Sequence, residues 1–244
     1  MRLKLILAYD GRPFRGWQSQ AEGGGVQDHL ERAFARICGG RVVVQGAGRT
    51  DAGVHARAQV AHADVPREEM AVRAWPLALN AHLPPEIRVM RAQRVPDDFH
   101  AQFDARGKVY VYRIWNAPAF HPLEIGRAWH VPVSLDVAVL RAGAKLLAGR
   151  HDFARFAANR GQPPGSTVRT LHETRITRRG PLITLRVAGD GFLYRMVRLL
   201  TGSLVRCAQG KAHLDWLRAL LAGTVPKTHF LAPAEGLYLE RVLY

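Results

Sequence analysis

Along the first half of the chain, runs of alternating and of helix-spaced apolar residues succeed one another with turn residues between them. RLKLILAY, residues 2–9, reads as a strand, and DGRPFRGWQSQAEGGG after it is a loop dense in glycine. Val26, Leu30, Ala33, Phe34 and Ile37 then fall on one face of a helix, stopped by Gly39–Gly40. RVVVQGAG predicts a second strand and AQVAHADV a third. PREEMAVRAWPLALNAHL contains a helix, with Glu68 and Glu69 near its start, where acids suit the helix dipole. Pro84–Pro85 end it, and IRVMRAQRV is a fourth strand.

The second half repeats this grammar. KVYVYRIWN is a strand, LDVAVLRAGAKLLAG a helix, and TLHETRITRRG with PLITLRVAGDG a hairpin pair. FLYRMVRLLTGSLVRCAQG is a second helix, HLDWLRALLAG an added one, and GLYLERVLY a closing strand. Two β-α-β-β-α-β units predict an α+β fold of two ferredoxin-like halves, mainly antiparallel sheets with helices on one face. The boundary is expected in DARG, giving halves 1–104 and 105–244. The longest irregular piece is RFAANRGQPPGSTVRT, 155–170, expected to grip a partner.

The 244 residues, 48% of them hydrophobic, suffice for one large domain or two smaller ones. No apolar run reaches the roughly 18 residues of a membrane span, and the N-terminal run is too short for a signal peptide. The expectation is a soluble, cytoplasmic protein. Cys38 and Cys207, both within apolar helical patterns, read as reduced core residues, and the histidines lack metal-ligand spacing.

Charge narrows the partner. Lys+Arg is 35 and Asp+Glu 20, a net of +15, which favours a polyanion. Residues 1–104 carry 14 cations and 12 anions, whereas residues 105–244 carry 21 and 8. An electropositive face fed by the second half follows.

One loop carries candidate chemistry: GAGRTDAGVHA, 46–56. It offers a single carboxylate, Asp51, two residues after Arg49 and among glycines that let the chain turn sharply. In an extended segment Arg49 would share the face of Asp51. The plain alternative is an aspartate that hydrogen-bonds its own turn. No second loop supplies a matching acid, which argues against paired-carboxylate chemistry, and the lysine and adjoining helix of a phosphate loop are missing. A working Asp51 would act alone, as nucleophile or base, and a nearby arginine would keep it ionised. Tyr110 and Tyr112 alternate on one face of a strand and could stack on a base. In GDGFLYRMVRLL, Phe192, Met196, Leu199 and Leu200 mark a buried helical side. Arg195 and Arg198, three apart, lie along its edge, where Arg198 would need an anion.

Seven stretches in order resemble the TruA family of tRNA pseudouridine synthases. They are YDGRPFRGWQSQ (9–20), VQDHLERAF (26–34), GAGRTDAGVHARAQVAH (46–62), LNAHLPPEIRV (79–89), VPDDFHAQFDARGKVYVYRIWN (95–116), GDGFLYRMVRLLTGSL (189–204) and EGLYLERV (235–242). The resemblance implies isomerisation of uridine to pseudouridine at positions 38 to 40 of the anticodon stem-loop of tRNA. It implies no metal, no organic cofactor, a cleft between the two halves as the site, and a homodimer. The family's catalytic aspartate falls on Asp51, its substrate-contacting tyrosine on Tyr110, and the arginine that pairs with the acid on Arg198. Arg49 is expected to contact RNA. Two positions depart from the family pattern: Gln102 in FHAQF replaces an arginine, and Ala58 a glycine. The competing readings are an RNA-binding module without catalysis, a glycosidic hydrolase that does not rejoin the base, and a synthase with another RNA target.

Overall fold

The computed structural model describes residues 1–66, 70–159 and 165–244. In chain order its elements are β1 (Arg2–Tyr9), α1 (Val26–Cys38), β2 (Val44–Gly46), β3 (His55–Asp64), α2 (Trp75–Asn80), β4 (Ile87–Val95), β5 (Gly107–Trp115), β6 (Trp129–His130), α3 (Val137–Leu147), β7 (Gly149–Asp152), β8 (Val168–Arg179), β9 (Leu182–Gly189), α4 (Met196–Ala208), α5 (Leu214–Leu221) and β10 (Leu237–Leu243). The fold is α+β with mainly antiparallel strands. It divides into two compact units, Met1–Arg106 with Tyr238–Tyr244, and Gly107–Leu237.

In the first unit β1 is central, antiparallel to both β3 and β4. Leu3, Leu5, Leu7 and Tyr9 alternate into the core, as the period of two requires. β2 pairs antiparallel with β3, so the four strands run β4-β1-β3-β2. This is the order a β-α-β-β-α-β chain adopts when both helices cover one face. α1 buries Val26, Leu30, Ala33 and Phe34, and the Phe34 ring meets Trp75 of α2 at 5.7 Å. The Asp28 carboxylate caps α1 by accepting from Gly25 N at 2.8 Å.

Two expectations change here. The second helix is shorter than its apolar pattern suggests: a 3-10 turn at Val72–Ala74 leads into the six residues of α2. Pro76, which fits only a first helical turn, sets its start. The acids Glu68 and Glu69 lie outside the described residues. The closing strand, expected in the second half, belongs to the first unit. Tyr238 lies opposite His55 in a parallel pair with β3. Arg106 N donates to Leu243 O at 2.8 Å, and Tyr244 Oη to Ala101 O at 2.6 Å.

The second unit runs β5-β9-β8-β7, all antiparallel, with β6 parallel to β5. The short strands β6 and β7 were not foreseen. α3 starts on Asp136, whose carboxylate accepts from Ala138 N and Val139 N. It packs on β8 and α4. α4 is buried almost all round, from Met196 to Ala208. At Gly202 a Cβ would stand 1.8 Å from Phe230 O, so the helix touches the backbone of that segment directly. Among the described residues no helix is long and apolar enough to cross a membrane.

Candidate functional site

The Asp51 loop joins β2 to β3. Val54 N donates to Asp51 O at 3.1 Å, closing a turn whose third residue, Gly53, has a φ of 79°. Ala47 N donates to Val60 O at 2.7 Å. Burial alternates along the loop: Thr50 is buried, Asp51 half-buried and Arg49 exposed. Asp51 and Arg49 are thus offered outward by one short segment, while Thr50 between them points in.

A second loop, following β1, braces the first. Trp17 N donates to Thr50 O at 3.0 Å, and Tyr9 Oη lies 2.8 Å from Thr50 Oγ1. At Gly16, with a φ of 89°, a Cβ would stand 2.6 Å from Thr50 O, so the two backbones touch where only glycine fits. The glycines around Asp51 let the chain turn sharply, and they also let neighbouring groups come close. At Gly46 the room is already filled: a Cβ would stand 2.5 Å from the Trp17 indole. YDGRPFRGW is therefore scaffold for the acid's loop. Its glycines and aromatics were the available signal.

Behind the loop, Gly11 N donates to His55 Nδ1 at 3.1 Å, and the imidazole stacks on Tyr238 at 4.5 Å. Asp10 Oδ1 is 3.3 Å from the same nitrogen. Burial pushes the Asp10 carboxyl up, but hydrogen bonds from Arg12 together with the nearby charges of His55 and Arg12 hold the group below its ordinary value.

In the second unit, Tyr110 and Tyr112 share one face of β5, as the alternation predicts, and both are buried. Tyr112 is 0% exposed and donates its hydroxyl to Pro233 O at 2.6 Å. Burial raises its pKa well above the ordinary tyrosine value. Its hydroxyl is thus committed to the unit's own core. Tyr110 meets the edge of Phe192 at 4.9 Å and 80°.

Arg198 lies in the first turn of α4, and its Nε donates to Ala232 O at 2.8 Å. No acid stands in that turn. A cation at the positive end of a helix dipole is unfavourable without an anion, so this position fits an anion-directed role. The expected edge pairing of Arg195 with Arg198 is corrected. α4 begins only at Met196, and Phe192 and Arg195 precede it. Arg195 takes the left-handed conformation, φ 60°, and lays its guanidinium over the Tyr194 ring at 4.9 Å. Such a backbone costs about 1 kcal/mol or more for a non-glycine and gathers at functional segments.

Of the two departures, Ala58 sits within β3, and Gln102 is exposed in a turn where its N–H donates to His100 Nδ1. Residues 160–164 of the 155–170 loop lie outside the described residues. Flanking them, Arg155 donates to Gly223 O and Arg169 to Ser166 O, both at 2.8 Å. Among the described residues no cluster of three or more His, Cys, Asp or Glu side chains could hold a metal ion.

Comparison with known proteins gives one answer. The sequence model of the tRNA pseudouridine synthase family matches residues 5–104 and 144–244. A tRNA pseudouridine synthase A of Akkermansia muciniphila is 45% identical over 251 residues, covering 100% of this chain and 95% of that protein. One from Solidesulfovibrio magneticus is 49% identical over 252 residues, covering 100% and 91%. One from Methylacidiphilum infernorum is 43% identical over 242 residues, covering 99% and 94%.

Proposed function

The chain belongs to the tRNA pseudouridine synthase family, RNA-modifying isomerases, and from that premise we propose that it converts uridine to pseudouridine at positions 38 to 40 of the anticodon stem-loop of tRNA. The observation that carries the chemistry is the build of the Asp51 loop. Two braced backbones hold its buried Thr50 inward, and Asp51 follows, half-buried, with Arg49 exposed beside it. The turn itself is closed by the Asp51 carbonyl, which accepts from Val54 N.

The target uridine leaves its stack to reach the acid. Asp51 starts cleavage of the bond between ribose and uracil N1. Addition to the ribose, addition to the base and removal of a ribose proton all stay open for this step. The freed uracil turns and rejoins through carbon 5, which gives up its hydrogen. Tyr110 holds the base by stacking, Arg198 keeps the carboxylate anionic and aimed, and Arg49 contacts the RNA. These roles rest on the family resemblance of each position. No metal or organic cofactor takes part. The basic second half supplies phosphate contacts, so binding weakens steeply with salt. The working form is a cytoplasmic homodimer. A species that stays monomeric at micromolar concentration in sedimentation would remove the dimer.

The test uses tRNA transcripts whose anticodon stem-loop holds uridine at only one of positions 38, 39 and 40. Carbodiimide-dependent reverse-transcription stops read the product. Stops at those positions are expected. Stops only elsewhere in the tRNA would overturn the assigned target and leave the family intact.

A further inference from the structure

We propose that Tyr9, Thr50 and Gln59 form a buried polar network that positions Asp51, so that the Thr50 hydroxyl itself, and not only its volume, sets the rate of the chemical step. This rests on the reading of Asp51 as the catalytic acid. Tyr9 is 5% exposed, Thr50 7% and Gln59 0%. Each is a polar group in an apolar setting, where burial is unfavourable unless every partner is present. Phenylalanine, valine and leucine would fill the same space without that cost. Packing alone gives no reason for three polar side chains to converge here.

Their bonds fall on the residues leading into Asp51. Tyr9 Oη reaches Thr50 Oγ1 at 2.8 Å. Gln59 Nε2 donates to Gly48 O at 2.8 Å, and Val60 N donates to Gln59 Oε1 at 3.2 Å. With Trp17 N on Thr50 O, both neighbours of Arg49 are fixed, and the peptide joining Thr50 to Asp51 is held from its carbonyl and its side chain. Apolar contacts tolerate small slides, but a hydrogen bond weakens steeply as its angle opens. Such a network therefore fixes direction as well as distance. Burial pushes the Tyr9 phenol up to about 12, with the bonds to Thr50 and Gln59 pulling the other way. The group stays a protonated hydroxyl throughout the neutral range, and the network keeps one bonding pattern there. No residue of the network touches substrate in this account: all three act through Asp51.

The experiment is single-turnover and steady-state tritium release from tRNA labelled at carbon 5 of its uridines, with melting temperatures alongside. The variants are Thr50→Val, Thr50→Ser and Tyr9→Phe, with Asp51→Ala as control. Thr50→Val, matched in size, is expected to lower kcat about 10- to 100-fold with KM close to wild type, since a displacement of about 1 Å has that cost, and to lower the melting temperature modestly because the buried Tyr9 hydroxyl loses a partner. Thr50→Ser, which keeps the hydroxyl, should recover most of the rate. Tyr9→Phe should act as Thr50→Val does, and the double variant should be little worse than either single one. Wild-type kcat in both Thr50→Val and Tyr9→Phe would overturn the network. So would a Thr50→Ser variant as slow as Thr50→Val. If Thr50→Val does not fold, Tyr9→Phe with an unchanged kcat is sufficient to overturn it. An active Asp51→Ala would instead refute the reading of Asp51, so the two failures are told apart.

Discussion

Asp51 stands in a loop whose neighbours are fixed by single hydrogen bonds from buried polar side chains, whereas Arg198 stands on a helix packed on nearly every side by apolar residues. The loop in the first unit is positioned by direction and the helix in the second by volume. The difference teaches which changes each element can bear. A loop held by a few bonds can lose its aim while the unit stays folded. A helix buried like α4 keeps its aim until the packing itself fails.

The strongest way to break the packed side is Leu200→Ala. Leu200 is 0% exposed on α4, and its truncation should destabilise the protein by about 2–5 kcal/mol. Thermal unfolding reads this. Activity per folded molecule should change little, and a large loss in kcat without a lower melting temperature would erase the contrast. On the bonded side, Gly16→Ala places a Cβ 2.6 Å from Thr50 O and forces a left-handed φ on alanine. A cost of about 1–3 kcal/mol is expected, with a fall in kcat of more than about tenfold because the shift is delivered to the peptide before Asp51. Parallel melting and tritium-release assays would show it.

Tyr112→Phe sharpens the distinction between the two tyrosines of β5. It removes one donor to Pro233 O, worth about 1 kcal/mol, and should leave kcat unchanged. A fall in kcat would show that the Tyr112 hydroxyl does more than brace the core of its unit. The smallest effect concerns Asp64 at the end of β3, whose carboxyl is held below its ordinary value by hydrogen bonding from Arg2. A depressed carboxylate contributes stability that is present above its unfolded pKa, near about 4, and lost as pH falls through the folded value. Its side chain is 64% exposed, so the contribution is small. Asp64→Asn should lower the melting temperature slightly at neutral pH and flatten its fall below about pH 4, where the wild type has lost the same contribution.

Much of this was legible in the sequence, and the rest had physical reasons for being hidden. The alternation in RLKLILAY and the helical face from Val26 to Ile37 depend on local period, and both elements formed as read. Asp51 and Arg49 stood out because one acid among glycines is chemically conspicuous. Tyr110 and Tyr112 could not be separated by pattern, since both face the same way. The bond from the Tyr112 hydroxyl to the Pro233 carbonyl, distant in sequence, is invisible to any local pattern. The start of α4 was misjudged because the apolar spacing from Phe192 to Met196 continues through Arg195, whose positive φ no periodicity records. The pairing of β10 with β3, and the convergence of Tyr9, Thr50 and Gln59, join segments far apart in the chain. No local pattern encodes them.

The most direct measurement of the central claim is tritium release from tRNA labelled at carbon 5 of its uridines, comparing wild type with Asp51→Ala at equal folded concentration. Carbon 5 must lose its hydrogen when the new bond to ribose forms. The account predicts release by the wild type and none above background by the variant, with the melting temperature of Asp51→Ala close to wild type. Release by Asp51→Ala at the wild-type rate would contradict it, and would reduce the aspartate to a residue of its turn.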